Sequence, residues 1–223
     1  MYLIEKLSNR IAGEIASTLK LDKDHEEVLA YGAFNLIETL LSIILVLLFG
    51  LLFDVLLEAS IISFTSAILR KYSGGAHATS PNRCAVIGVI VSVGPALIIG
   101  KINTYENMIF ISCILIFVLA YYIIYKYAPV DTLNKPIKKE ERKRRFKKQS
   151  IILLSVYLIT IIIVAIAYFK TKNITLLNSI ASIQLGVLWQ SITLTFLGHM
   201  IIHKLDESLR ILVSLGGGEN NEK

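Results

Sequence analysis

Long apolar runs separated by short polar segments set the pattern of this chain. Six of them, at residues 28–50, 51–69, 81–100, 107–125, 151–169 and 180–202, are each long enough to cross a bilayer core of about 30 Å as a helix. The first two meet at Phe49-Gly50-Leu51 with almost no loop, so a tight helical hairpin is expected there. A merged span would be about twice what a bilayer needs. Ahead of the first run, Ile4, Leu7, Ile11, Ile15 and Leu19 recur every three or four residues between Glu5, Lys6, Arg10 and Glu14. That spacing predicts an amphipathic helix lying on the inner membrane surface, the alternative being a soluble helix packed on loops. Beyond the last run, Leu205, Leu209 and Leu212 predict a short second interfacial helix, followed by a disordered Gly216-Gly217-Gly218-Glu219-Asn220-Asn221 tail.

The expected fold is therefore all-α and polytopic, with six transmembrane helices. Its parts are an N-terminal amphipathic helix over 1–27, a six-span domain over 28–204 and a tail over 205–223. No internal repeat supports transporter-style inverted halves. Composition agrees: of 223 residues 54% are hydrophobic and only 18% charged, whereas soluble domains carry roughly a quarter charged residues. A soluble enzyme, a disordered chain and a nucleic-acid-binding domain are excluded on this ground, despite a net charge of +6. The first apolar run begins too late for a secretory signal, so it is expected to stay in the mature protein.

Charge also orients the chain. With the N-terminus inside, only Lys101, Lys170 and Lys172 of the 23 lysines and arginines fall outside. Because Lys and Arg favour cytoplasmic segments, both termini are expected inside. The largest group lies between Lys126 and Lys148, in a basic loop over 126–150. It serves topology and anionic lipid, or it docks an acidic partner.

One loop, residues 70–84, departs from a plain connector. It reads Arg70-Lys71-Tyr72-Ser73-Gly74-Gly75-Ala76-His77-Ala78-Thr79-Ser80-Pro81-Asn82-Arg83-Cys84. Ser80-Pro81 starts a helix, with Ser80 at N-cap and Pro81 at N1. Cys84 then falls in the first turn, where the positive helix end and Arg83 favour a thiolate over a thiol. His77 is the candidate activating partner. On one straight helix the two would stand about 10 Å apart, so the chain must fold back, which Gly74-Gly75 and Pro81 permit. The same glycines could aim backbone N–H groups at an oxyanion. The bland alternative is a solvated histidine and an inert apolar cysteine. Cys84 and Cys113 are not expected to form a disulfide.

Arg70, Gly74-Gly75, His77 and Cys84 between two apolar spans resemble the accessory gene regulator protein B (AgrB) family, the membrane cysteine endopeptidases of bacterial quorum sensing. Length, the amphipathic start, the several spans and a basic central loop containing Asn134-Lys135-Pro136 fit as well. The resemblance implies that Cys84 is the nucleophile and His77 its activating partner, both facing the cytoplasm. Arg70, Gly74, Gly75 and Arg83 are the supporting, substrate-positioning set. It further implies an AgrD-like propeptide with an acidic C-terminal tail as substrate. The tail is removed and the remaining carboxyl end closes onto an upstream Cys or Ser, giving a thiolactone or lactone. Location in the bacterial cytoplasmic membrane, no cofactor, no metal and no nucleic-acid partner go with this.

Glu38, Asp54 and Glu58 lie within the first hairpin, Asp54 near water and the others deeper, within reach of Asn35, Gln184 or Gln190. They define the rival function, a small membrane transporter or peptide exporter using intramembrane carboxylates. A third possibility is a non-catalytic membrane partner of a sensor. His199 and His203, at i and i+4, lack a third zinc ligand and are expected to snorkel to the interface. Gly186 and Gly198 suggest a homodimer through closely packed spans.

Overall fold

The computed structural model describes residues 3–102, 106–130 and 140–215. Asn134-Lys135-Pro136 and the tail from Gly216 lie outside the described residues. Within them the chain forms eight helices: α1 Leu3–Leu19, α2 Lys23–Leu52, α3 Leu56–Ser73, α4 Pro81–Ile102, α5 Glu106–Tyr127, α6 Glu140–Thr171, α7 Ile174–Ile192 and α8 Phe196–Leu215. They divide into two compact units, Met1–Leu45 and Val46–Lys223.

In the first unit, α1 turns into α2 through Lys20, which adopts a φ of 52°. Asp22 then caps α2 by accepting from the His25 backbone N–H at 2.9 Å. The buried face of α1 is made of small residues, Ser8, Ala12 and Ala16. Leu7, Ile11, Ile15 and Leu19 remain exposed. The predicted helix is present, with its large apolar side chains turned outward and not packed on loops.

The second unit is organised around α3 and α7. These helices run parallel, with paired residues near both ends. Asn178 Nδ2 donates to Glu58 Oε1 at 2.9 Å near their starts, and Gln190 Nε2 donates to Ser73 Oγ at 2.9 Å near their ends. Between them a Cβ on Gly186 would stand 2.8 Å from Thr65 Cβ and 2.9 Å from Ile62 O. α5 and α6 pack on the other sides of α7, and α4 packs on α3. Buried Ile62, Leu69, Ile124, Leu154, Leu177, Ile180 and Val187 fill the core between them.

Four helices, α2, α4 over Pro81–Ile99, α5 and α6, are long and apolar enough to cross a membrane. α7 and α8 together make a fifth candidate. α3, at 18 residues, carries Glu58, Arg70 and Lys71 and does not reach that threshold alone. Three expectations are corrected. The first hairpin turns at Phe53-Asp54-Val55, where Asp54 has a φ of 55°, and not at Gly50. Gly50 stays helical within α2, and close approach explains its lack of a side chain: a Cβ there would meet Leu56 Cα at 3.1 Å. The run 180–202 is not one straight span: α7 and α8 meet at 93°. Thr193 Oγ1 and Thr195 Oγ1 donate to Gln190 O and Ile192 O, each at 2.7 Å, competing with helical N–H groups for those carbonyls. Third, Gly186 and Gly198 are buried against this chain's own α3 and Ile192, so their close-packing faces are used internally and do not argue for a dimer.

Candidate functional site

The site begins where α3 stops. Gly74 and Gly75 take φ values of 71° and 135°, a region that L side chains avoid. A Cβ on Gly74 would overlap the Val130 carbonyl oxygen, and one on Gly75 would stand 2.7 Å from Thr193 Oγ1. The glycine pair is thus required by backbone conformation and by close approach from two sides. Val130 N donates to Ser73 O at 2.9 Å and pairs with Gly74 as an isolated parallel bridge. Gln190 Nε2 also donates to Gly74 O at 2.7 Å, and Ala76 N donates to Thr193 O at 3.1 Å. The Gly74 N–H already donates to Arg70 O at 2.9 Å, so it is not available for the oxyanion role that the sequence suggested.

Beyond the glycines the chain turns back into α4. Cys84 N donates to Ser80 O at 2.9 Å, the first i→i−4 bond of the helix, which puts Ser80 at N-cap and Cys84 in the first turn as expected. Cys84 is half-buried, His77 is exposed, and Cys113 is buried. The two cysteines form no disulfide with each other.

Arg70, from the last turn of α3, is the charge that gathers the site. It acts electrostatically on Cys84 and on His77. Desolvation of the imidazole by its surroundings, although the residue keeps an exposed face, and then the Arg70 charge hold His77 down to about 4 from its ordinary 6.5. The histidine is therefore neutral near pH 7 and is a proton acceptor, not a standing cation. Arg70 Nε and Nη2 are buried without a hydrogen-bond partner, an arrangement found where a ligand supplies the missing acceptor.

Arg83 has a different place from the one its position beside Cys84 suggested. Its Nε donates to Asp206 Oδ1 at 2.7 Å, and its Nη2 to Thr79 Oγ1 at 2.7 Å. The Asp206 carboxylate balances its charge, and Arg70 is a cation that acts on the thiol. Asp206, Gln190 and Thr193 are site neighbours that sequence reasoning missed, although Gln190 was noted as a partner for the acidic residues. An aspartate directly after Leu205, at the start of the predicted interfacial helix, was the available signal.

The remaining candidates lie elsewhere. Glu58 is bound by Asn178 and not by Gln184 or Gln190, because the parallel register of α3 and α7 brings their first turns together. Gln184 instead accepts from Ser112 Oγ at 3.1 Å, and Asn35 donates to Tyr31 O in its own helix. Glu38 is half-buried and Asp54 exposed. His199 and His203 are exposed, and His199 Nδ1 lies 2.9 Å from Thr195 O. The described part of the basic loop is largely helical, as the first turns of α6. A cavity of about 320 Å³ there is lined by Ala128, Pro129, Glu140, Lys143, Arg144 and Lys147. Pro129 adjoins Val130, the residue bridged to Gly74.

A family model described as accessory gene regulator B matches residues 8–194. An AgrB-like protein of Clostridium perfringens (strain SM101 / Type A) is 44% identical over 209 residues, covering 92% of this chain and 97% of its own. AgrB-like protein 2 of Clostridium perfringens (strain 13 / Type A) is 43% identical over the same coverage. An AgrB-like protein of Halalkalibacterium halodurans is 25% identical over 221 residues, or 99% of each chain. No solved structure matches.

Proposed function

This chain belongs to the accessory gene regulator B family, and from that membership we propose that it is a membrane cysteine endopeptidase that also cyclises its product. Membership supports a role in the agr quorum-sensing system. What supports the finer reading is Cys84 in the first turn of α4, together with the buried, unpartnered Nε and Nη2 of Arg70, a charge that acts on both Cys84 and His77.

In this mechanism neutral His77 takes the Cys84 proton as sulfur attacks the scissile carbonyl carbon of an AgrD-type propeptide. Arg70 Nε and Nη2 offer their open N–H groups to the oxygen that becomes negative. The C–N bond then breaks, the leaving amine takes the proton from His77, and the C-terminal tail departs. The rest of the propeptide stays on Cys84 as a thioester. A substrate Cys or Ser attacks that thioester, giving its proton back through His77, and Cys84 leaves as the ring closes. Making a thioester from an amide is uphill whereas exchange between thioesters is nearly balanced, so tail release pulls the first step. Holding the attacking side chain close and limiting water favour closure over hydrolysis.

The cavity lined by Lys143, Arg144 and Lys147 supports docking of an acidic tail near the loop that carries the site. Membranes co-expressing the chain with an AgrD-type propeptide tagged at its C-terminus test the reading. Cys84→Ala and His77→Ala should each abolish tail release, while Cys113→Ala should leave it intact. Tail release persisting in both of the first two variants would overturn the mechanism.

A further inference from the structure

The proposed chemistry leaves one buried cluster unused. Arg83 and Asp206 are 8% and 7% exposed, and a buried ion pair adds little stability because desolvation offsets most of its attraction. Such a pair is better explained by the geometry it fixes. Asp206 Oδ1 accepts from Arg83 Nε at 2.7 Å. Its Oδ2 accepts from Thr79 Oγ1 at 2.5 Å and from Thr79 N at 3.3 Å. Arg83 Nη2 closes the cluster on Thr79 Oγ1 at 2.7 Å, so the hydroxyl both donates and accepts.

The segments joined are the informative part. Thr79 stands two residues after His77, and Arg83 immediately precedes Cys84. One carboxylate from α8 thus grips both ends of the stretch on which His77 and Cys84 ride. The preceding bend grips the other side of the loop, through Thr193 O on Ala76 N and Gln190 on Gly74 O. Asp206 lies beyond residue 194, where the family match ends. Among the described residues, the charged groups shown to act on this stretch include Arg70 from α3, Arg83 from α4 and Asp206 from α8.

We propose that Asp206 is a positioning residue of the cysteine site, and that α8 serves as a strut setting His77 relative to Cys84. The inference rests on the Cys84/His77 reading above. It is tested on the full chain in liposomes, in a Cys113→Ala background where Cys84 is the sole thiol, by the pH profile of iodoacetamide alkylation. His77→Ala should slow alkylation at pH 7, because the neutral imidazole takes the thiol proton as sulfur attacks the reagent's carbon. Asp206→Asn and Thr79→Val leave both residues in place, and should slow it in the same direction by about threefold or more, the equivalent of half a pKa unit. Asp206→Glu, which keeps the carboxylate, should recover part of the parental profile. Thr79→Val retains the Arg83–Asp206 pair, so it keeps the test alive if Asp206→Asn does not fold. Folded Asp206→Asn or Thr79→Val with the parental profile, beside a shifted His77→Ala, would overturn the positioning role alone. An unshifted His77→Ala would overturn the Cys84/His77 reading, and the positioning role with it.

Discussion

Burying a guanidinium with two nitrogens unmet is unfavourable, and Arg70 stands in that state while acting on both a thiol and an imidazole. Burial and the Arg70 charge both disfavour the imidazolium, so His77 releases its proton near pH 4 and not near 6.5. The acid limb of kcat/KM for tail release should therefore fall well below pH 6.5. Arg70→Gln, which removes the second cause, should move that limb upward as well as lower the rate. Linkage has the same sign. The unfolded chain binds the His77 proton first, so stability is lost as pH drops from 6.5 toward 4. A limb at 6.5 in the parent would contradict this assignment. Arg70, His77 and Cys84 were legible in the sequence because their spacing matches a known motif. The Asp206 partner of Arg83 was not legible because it lies 123 positions away, and adjacency along the chain says nothing about such a contact.

Among elements, the loop 74–80 is shaped less by its own sequence than by what presses on it. Val130, Gln190, Thr193 and Asp206 all bond to it or to its flanks. Gly74→Ala sets a Cβ against the Val130 carbonyl at a φ of 71°. It should cost about 1–3 kcal/mol in backbone strain alone, and so lower the Tm in detergent by several degrees. Gly88→Ala in α4 meets nothing within 4 Å and should leave Tm unchanged or slightly raised, since alanine favours helix by about 1 kcal/mol. Equal Tm values for the two variants would refute the close approach at Gly74. Apolar run length revealed most helices. It could not reveal the break at 193–195, because Thr193 and Thr195 read as ordinary members of an apolar run until their hydroxyls are seen on Gln190 O and Ile192 O. Gly50 misled for the opposite reason: it marks close packing against Leu56, not a turn.

For the whole molecule, composition and run length sufficed for an all-α membrane protein, and the four to five candidate spans agree with it. The uneven placement of lysine and arginine predicts an inside location for both termini, the loop 70–84 and the start of α6. If Lys143, Arg144 and Lys147 receive an acidic tail, raising salt from about 50 to about 500 mM should screen that attraction. KM for the propeptide should rise with little change in kcat, and Lys143→Gln with Arg144→Gln should flatten the dependence. A KM indifferent to salt would leave those charges to topology and lipid. In the Met1–Leu45 unit, the outward Leu7, Ile11, Ile15 and Leu19 of α1 suit a lipid surface. The central claim is covalent, that Cys84 carries the propeptide. The most direct measurement is intact and peptide-level mass spectrometry of the purified chain after brief reaction with an AgrD-type propeptide. The predicted result is a tail-less propeptide adduct on Cys84, removed by hydroxylamine and absent from Cys84→Ala. Tail release without any adduct in the parent and undiminished in Cys84→Ala, or an adduct on Cys113, would contradict it.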